Sequence, residues 1–174
     1  MADKNSTKIK HKVYTRHNGG DPPENAYRSL IKKSVRATLQ IEAVDIICVV
    51  NVLITDDEGI RCYNRDYRSV DGSTDVLSFP MQEFQHSGWD AQSDFELDED
   101  TGELPLGDII ISMESAKRQA NDYGNTFEYE IAYLIIHSTL HLIGYDHDKK
   151  SSEKDMHKKN KSIMQEMGFK TNDK

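Results

Sequence analysis

Apolar and polar positions alternate along IKHKVYTRH (9–17), the period of a strand, and Gly19, Gly20, Pro22 and Pro23 close it. The period then lengthens. In ENAYRSLIKKSVRATLQ (24–40), Ala26, Leu30, Ser34, Ala37 and Leu39 fall near one face, which predicts a helix. IICVVNVLI (46–54) is too short for a globular helix and rich in Val and Ile, so it reads as a buried strand. TDDE (55–58) has the form of a capping box, with Thr55 as N-cap and Glu58 reaching back, opening a short helix to about Arg68. TDVLSFP (74–80) predicts a strand stopped by Pro80, and LGDIIIS (106–112) another. MESAKRQANDYG (113–124) reads as a helix ending near Gly124. TFEYEIAYLIIHSTLHLIG (126–144) is apolar around most of its circumference and so belongs at the centre of the fold. A last amphipathic helix over 151–167 carries Met156, Ile163, Met164 and Met167 and stops at Gly168.

Strands mixed with helices in this order predict an α+β fold: a mixed sheet of about four strands packed with about five helices. At 174 residues the whole chain, 1–174, fits a single domain. Residues 1–7 and 170–174 are polar and expected to be disordered. The stretch 82–105 is expected to be a solvated acidic loop, long for a segment without structure of its own.

Charge modifies this picture locally. The net charge of −8 weighs against a nucleic-acid partner. Seven of the acids, however, lie between Asp90 and Glu103, where there is no Lys or Arg, and the remainder of the chain is nearly neutral. The C-terminal region is basic through Lys149, Lys150, Lys154, Lys158, Lys159 and Lys161. Cys48 and Cys62 fit no metal pattern and read as reduced thiols. No run approaches the roughly 18 apolar residues of a membrane span, and the N-terminus has neither a signal core nor a transit peptide's character. A cytoplasmic protein is the expectation.

Three of the seven histidines fall within IIHSTLHLIGYDHD (135–148). On a helix, His137 and His141 are offset by about 40° and about 6 Å along the axis, so both project from one face. That suits two imidazoles converging on one ion. Gly144 can take the left-handed conformation that turns a chain back, bringing His147 round as a third ligand. Three neutral nitrogens leave a fourth position open, the mark of a catalytic zinc site. Isolated from such company, His11, His17, His86 and His157 are expected on the surface. The H-x3-H-x2-G-x2-H spacing also matches metzincin proteases, but their catalytic Glu follows the first His, and here that position is Ser138.

HSTLHLIGYDH (137–147) resembles the signature H-G-x-L-H-L-x-G-Y-D-H of the YbeY endoribonucleases, with Ser138 where that family usually has Gly. NRDYRSVDGSTDVLSF (64–79) and LGDIII (106–111) are similar to two further blocks of the family, in the same order. The resemblance implies a zinc-dependent endoribonuclease that prefers single strands, with one Zn2+ per chain. It implies roles in maturing the 3′ end of 16S rRNA and in ribosome quality control, in contact with the small ribosomal subunit or its proteins. DNA and membranes are not expected partners. His137, His141 and His147 match the family's zinc ligands and Arg68 its functional arginine, a forked cation suited to clamping a phosphate; Arg65 is expected at the surface. Asp146 and Asp148 are either outer acceptors for ligand imidazoles or turn residues. The nucleophile is either water or the RNA's own 2′-OH. A ribosome-assembly factor with a structural metal is the alternative, and a zinc protease lies further off.

Overall fold

In the computed structural model, residues 9–145 and 150–170 are described, with side chains for 9–145 and 154–170. Four strands, β1 (Lys12–His17), β2 (Cys48–Thr55), β3 (Val76–Pro80) and β4 (Leu104–Ser112), form one sheet in the order β1-β2-β4-β3. The first three in that order run parallel, and β3 closes the edge antiparallel to β4. Five helices complete the α+β architecture: α1 (Asn25–Ile41), α2 (Asp57–Arg68), α3 (Met113–Tyr123), α4 (Phe127–Leu142) and α5 (Lys150–Glu166).

The period-two alternation of β4 sorts side chains between two layers. Ile109 and Ile111 join the main core with Val50, Val52, Ile54 and the buried residues of α1 and α4. Ile110 turns to the other face, where it meets Leu77 and Ile60 of α2. α4 packs against α1, α3, α5, β3 and β4. That central position explains why its sequence is apolar on nearly every side.

Some expectations shift. The buried face of α1 is Ile31, Ser34, Val35, Thr38 and Leu39, not a stripe through Ala26, which is exposed. The stripe counted from Ala26 starts on the wrong turn. The N-cap of α2 is Asp56, whose carboxylate accepts the Gly59 amide at 2.8 Å. Thr55 instead ends β2, because the parallel ladder to Ser112 holds its backbone extended. β4 starts at Leu104, two residues before the predicted strand.

The acidic segment is also more than a solvated loop. Trp89 stacks on Phe95 with ring centroids 4.8 Å apart, Phe84 lies 5.6 Å from Phe95, and all three pack on the main core. Buried Gln82 ties the segment down: its Nε2 donates to the carbonyls of Pro105 and Glu96, and its Oε1 accepts the Glu96 amide. The aromatics give it an apolar underside, while Asp94, Glu96, Asp98, Glu99 and Asp100 face water and Glu103 pairs with Lys12. His11, expected at the surface, is only 1% exposed. Residues 1–7 and 171–174 lie outside the described residues. Among those described, no helix is long and apolar enough to cross a membrane.

Candidate metal and phosphate site

α4 begins with Thr126, whose hydroxyl accepts the Tyr129 amide at 3.2 Å, and carries Glu128 and Glu130 in its first turn, where the helix dipole favours acids. It ends in the predicted glycine bend. Gly144 adopts φ +94°, with its amide bonded to the His141 carbonyl at 3.1 Å and the Tyr145 amide to Leu140 at 3.1 Å. A Cβ at Gly144 would lie 2.6 Å from Phe84 Cγ, so the bend is packed under an aromatic ring where only glycine fits.

His137 and His141 project from one face of α4 as their spacing predicts. Their ring centroids are 4.8 Å apart and their planes nearly perpendicular, at 87°. His141 Nδ1 lies 2.8 Å from the Tyr145 carbonyl oxygen. A carbonyl only accepts, so Nδ1 carries the proton and the lone pair sits on Nε2. This is the tautomer and the fixed ring that a metal-ligating imidazole needs. The chemistry of these two imidazoles suits a zinc ion, and among the described residues no third donor joins them. His147, Asp146 and Asp148 lie outside the described residues.

A chain of contacts holds that carbonyl in place. The Tyr145 hydroxyl donates to Glu42 Oε2 at 2.6 Å, and Lys159 Nζ donates to both oxygens of the same carboxylate at 2.9 and 3.1 Å. Burial and the bond to Glu42 push the Tyr145 phenol well above its ordinary pKa, so it remains a donor. Nothing in the spacing of the sequence points to Glu42, which lies at the far end of α1. Tyr145 stands inside the histidine motif, and its place directly after Gly144 is the signal that could have marked it.

Arg68 reaches the same cleft from the other side. It is the last residue of α2, and Ser69 ends that helix in the left-handed conformation (φ 58°). The loop beyond is tied back by Asn64 Nδ2 donating to the Gly72 carbonyl at 2.8 Å and by the Arg61–Asp71 ion pair at 2.8 Å. The Arg68 guanidinium lies 5.7 Å over the Phe79 ring and donates from Nη2 to the Ser78 carbonyl of edge strand β3 at 3.0 Å. Its remaining N–H groups have no other protein acceptor among the described residues. Arg65 pairs with its neighbour Asp66 at 2.9 Å on the surface, as expected.

Arg68, His137 and His141 thus line one cleft of about 980 Å3 between β3 and α4, with Gln82 and Phe84–Ser87 along its rim. Ser138 lies in its wall, 1% exposed. Asp75 is the carboxylate in the lining among the described residues, and it is occupied by the Val76 amide, the Thr74 hydroxyl and Gln119. Among the described residues, no acid stands in the place of a protease's general base, and Ser138 follows His137.

The comparisons with known proteins point the same way. A family model described as "Endoribonuclease YbeY" matches residues 13–168. A relative of that name from Caldanaerobacter subterraneus is 43% identical over 141 residues, 81% of this chain and 87% of its own length. Another, from Bacillus cereus, is 40% identical over 148 residues, covering 84% and 90%. The solution structure of a Thermotoga maritima protein shares the fold, with a TM-score of 0.53 and 24% identity over 89% of this chain and 91% of that one. By the extent of the family match and its agreement with the motifs that build the cleft, the chain belongs to the YbeY endoribonuclease family.

Proposed function

We propose that this protein is a zinc-dependent endoribonuclease that cuts single-stranded RNA in the cytoplasm. Its task is the maturation of 16S ribosomal RNA at the 3′ end and ribosome quality control, in contact with the small subunit. The observation that carries the reading is the meeting of His137, His141 and Arg68 in one cleft, from two elements on opposite sides of β3.

Zinc held by His137, His141 and His147 would lower the pKa of a bound water towards about 7 and polarise a phosphoryl oxygen. The protein supplies the geometry around it. The Tyr145 carbonyl keeps the His141 ring oriented through its Nδ1 proton. Arg68 presents its forked donors to the two non-bridging oxygens of the scissile phosphate, whose charge grows in the transition state. The Ser78 carbonyl and the Phe79 ring hold that guanidinium in position. The relatives named as endoribonucleases supply the substrate class.

Purified protein should carry about one zinc per chain and cut single-stranded RNA, and His141→Ala should lose both properties. Arg68→Ala should keep its metal and lose roughly 10²–10³-fold in rate. Cleavage by Arg68→Ala at the wild-type rate would remove the clamp. Binding to ribosomal particles that survives chelation, without nuclease activity, would favour an assembly factor with a structural metal.

A further inference from the structure

A second cavity, of about 590 Å3, opens beside the cleft between α3, α4 and α5. The two share Asp75, Tyr133 and Leu134, so Tyr133 stands at the threshold between them. We propose that this second cavity is a nucleobase pocket, taking from the RNA a base next to the scissile phosphate, with Tyr133 as its stacking face and Asp75 as a hydrogen-bond acceptor. The proposal rests on the endoribonuclease reading and deepens it to the recognition of substrate.

Electrostatics decides which part of an RNA enters. Asp75, Asp122 and Glu130 line the cavity against Lys161 and His157. A phosphate would meet more negative than positive charge there, whereas Arg68 awaits it in the neighbouring cleft. A base carries no charge, and the volume lies in the range of small-ligand pockets.

The wall suits a flat ring. Tyr129, Tyr133 and His137 stand at successive i, i+4 positions on α4. Their planes are nearly parallel, 11° apart at both steps, with centroids 6.4 and 6.3 Å apart. The row ends at the metal-ligand face itself, so a base against Tyr133 sits one helical turn from the chemistry. Such stacking tolerates any base.

The polar edge is more selective. Asp75 Oδ1 is fixed by the Val76 amide at 2.7 Å and the Thr74 hydroxyl at 3.1 Å. Oδ2 accepts one bond, from Gln119 Nε2 at 2.7 Å, and a carboxylate oxygen accommodates two. Cytosine and adenine offer such an acceptor an exocyclic amine at the edge of the ring, whereas uracil's one edge donor, N3–H, lies between two carbonyls that a carboxylate repels. The pocket therefore favours C and A over U.

The test uses the zinc-loaded, full-length protein and oligo(C), oligo(A) and oligo(U) of equal length. KM should be lower for C and A than for U. Tyr133→Leu, which keeps the apolar bulk and removes the π-face, should raise KM for oligo(C) on the order of tenfold with kcat and zinc content retained. Asp75→Asn, which presents a donor in place of an acceptor, should shift the preference towards U. RNA bearing 5-iodocytidine should crosslink to Tyr133 or Tyr129 of the wild-type protein, a readout that needs no variant to fold. Folded, zinc-loaded Tyr133→Leu with wild-type KM overturns the pocket, as do crosslinks that map only elsewhere. A wild-type protein that neither cuts nor binds any of the three RNAs overturns the nuclease reading and the pocket with it.

Discussion

His11 shows how one side chain couples stability to pH. Its Nδ1 accepts the Cys48 amide at 3.3 Å, and its Nε2 is buried without a hydrogen-bond partner among the described residues. Burial, and then the nearby Arg36 guanidinium, hold its pKa below the usual imidazole value. The folded state therefore favours the neutral ring. The stability this gives is present above the unfolded pKa near 6.5 and is lost as pH falls through it, since the unfolded chain takes up the proton first. Melting temperature should drop between pH 7.5 and 5.5 in the wild type. His11→Asn, which can still accept the Cys48 amide, should show a shallower drop from a lower starting value. Cys48 beside it is inert at neutral pH, its thiol pushed up to about 12 by burial and then by Asp45. The sequence offered no hint of this environment, because burial of a lone histidine depends on which residues the sheet register brings around it.

Among the elements, α4 and its terminal bend were the most legible. The H-x3-H spacing sets the shared face, and Gly144 sits where the chain turns. The partners that stiffen the bend were not legible, since Phe84 and Glu42 come from distant segments and show no periodicity. Their contributions can be measured separately. Gly144→Ala should destabilise by about 2 kcal/mol or more, because the new methyl meets Phe84 in a left-handed backbone, and calorimetry would detect it. Tyr145→Phe removes only the bond to Glu42. It should leave the melting temperature of the metal-free protein within a few degrees but weaken zinc binding about tenfold, measurable by competition with a chelator. Unchanged zinc affinity in that variant would mean that the carbonyl is held by the helix end alone. The acidic segment teaches the complementary lesson: its charge was obvious, while Phe84, Trp89 and Phe95, irregularly spaced, gave no strand or helix signal of the underside they form.

For the molecule as a whole, a net charge of −8 limits how RNA can be held. Binding in which Arg68 and at most one lysine meet phosphates should show a shallow salt dependence. The slope of log K against log[salt] should be roughly −1 to −1.5, following about −0.7 per phosphate contact on a single strand. Anisotropy titrations across a KCl series would report it, and a slope of −4 or steeper would place the C-terminal lysines along the backbone instead. The fold class was readable because strands and helices differ in period. The strand order was not, because the parallel neighbours β2 and β4 are separated by α2, β3 and the acidic segment.

The knot of Tyr145, Glu42 and Lys159 joins residues 103 and 117 positions apart. During vectorial synthesis, Glu42 emerges long before either partner, and the carboxylate waits for the last helix. A nascent copy, still tethered to the ribosome whose RNA it is proposed to cut, would lack the brace behind its second histidine. The complete brace is thereby deferred until α5 has been synthesised.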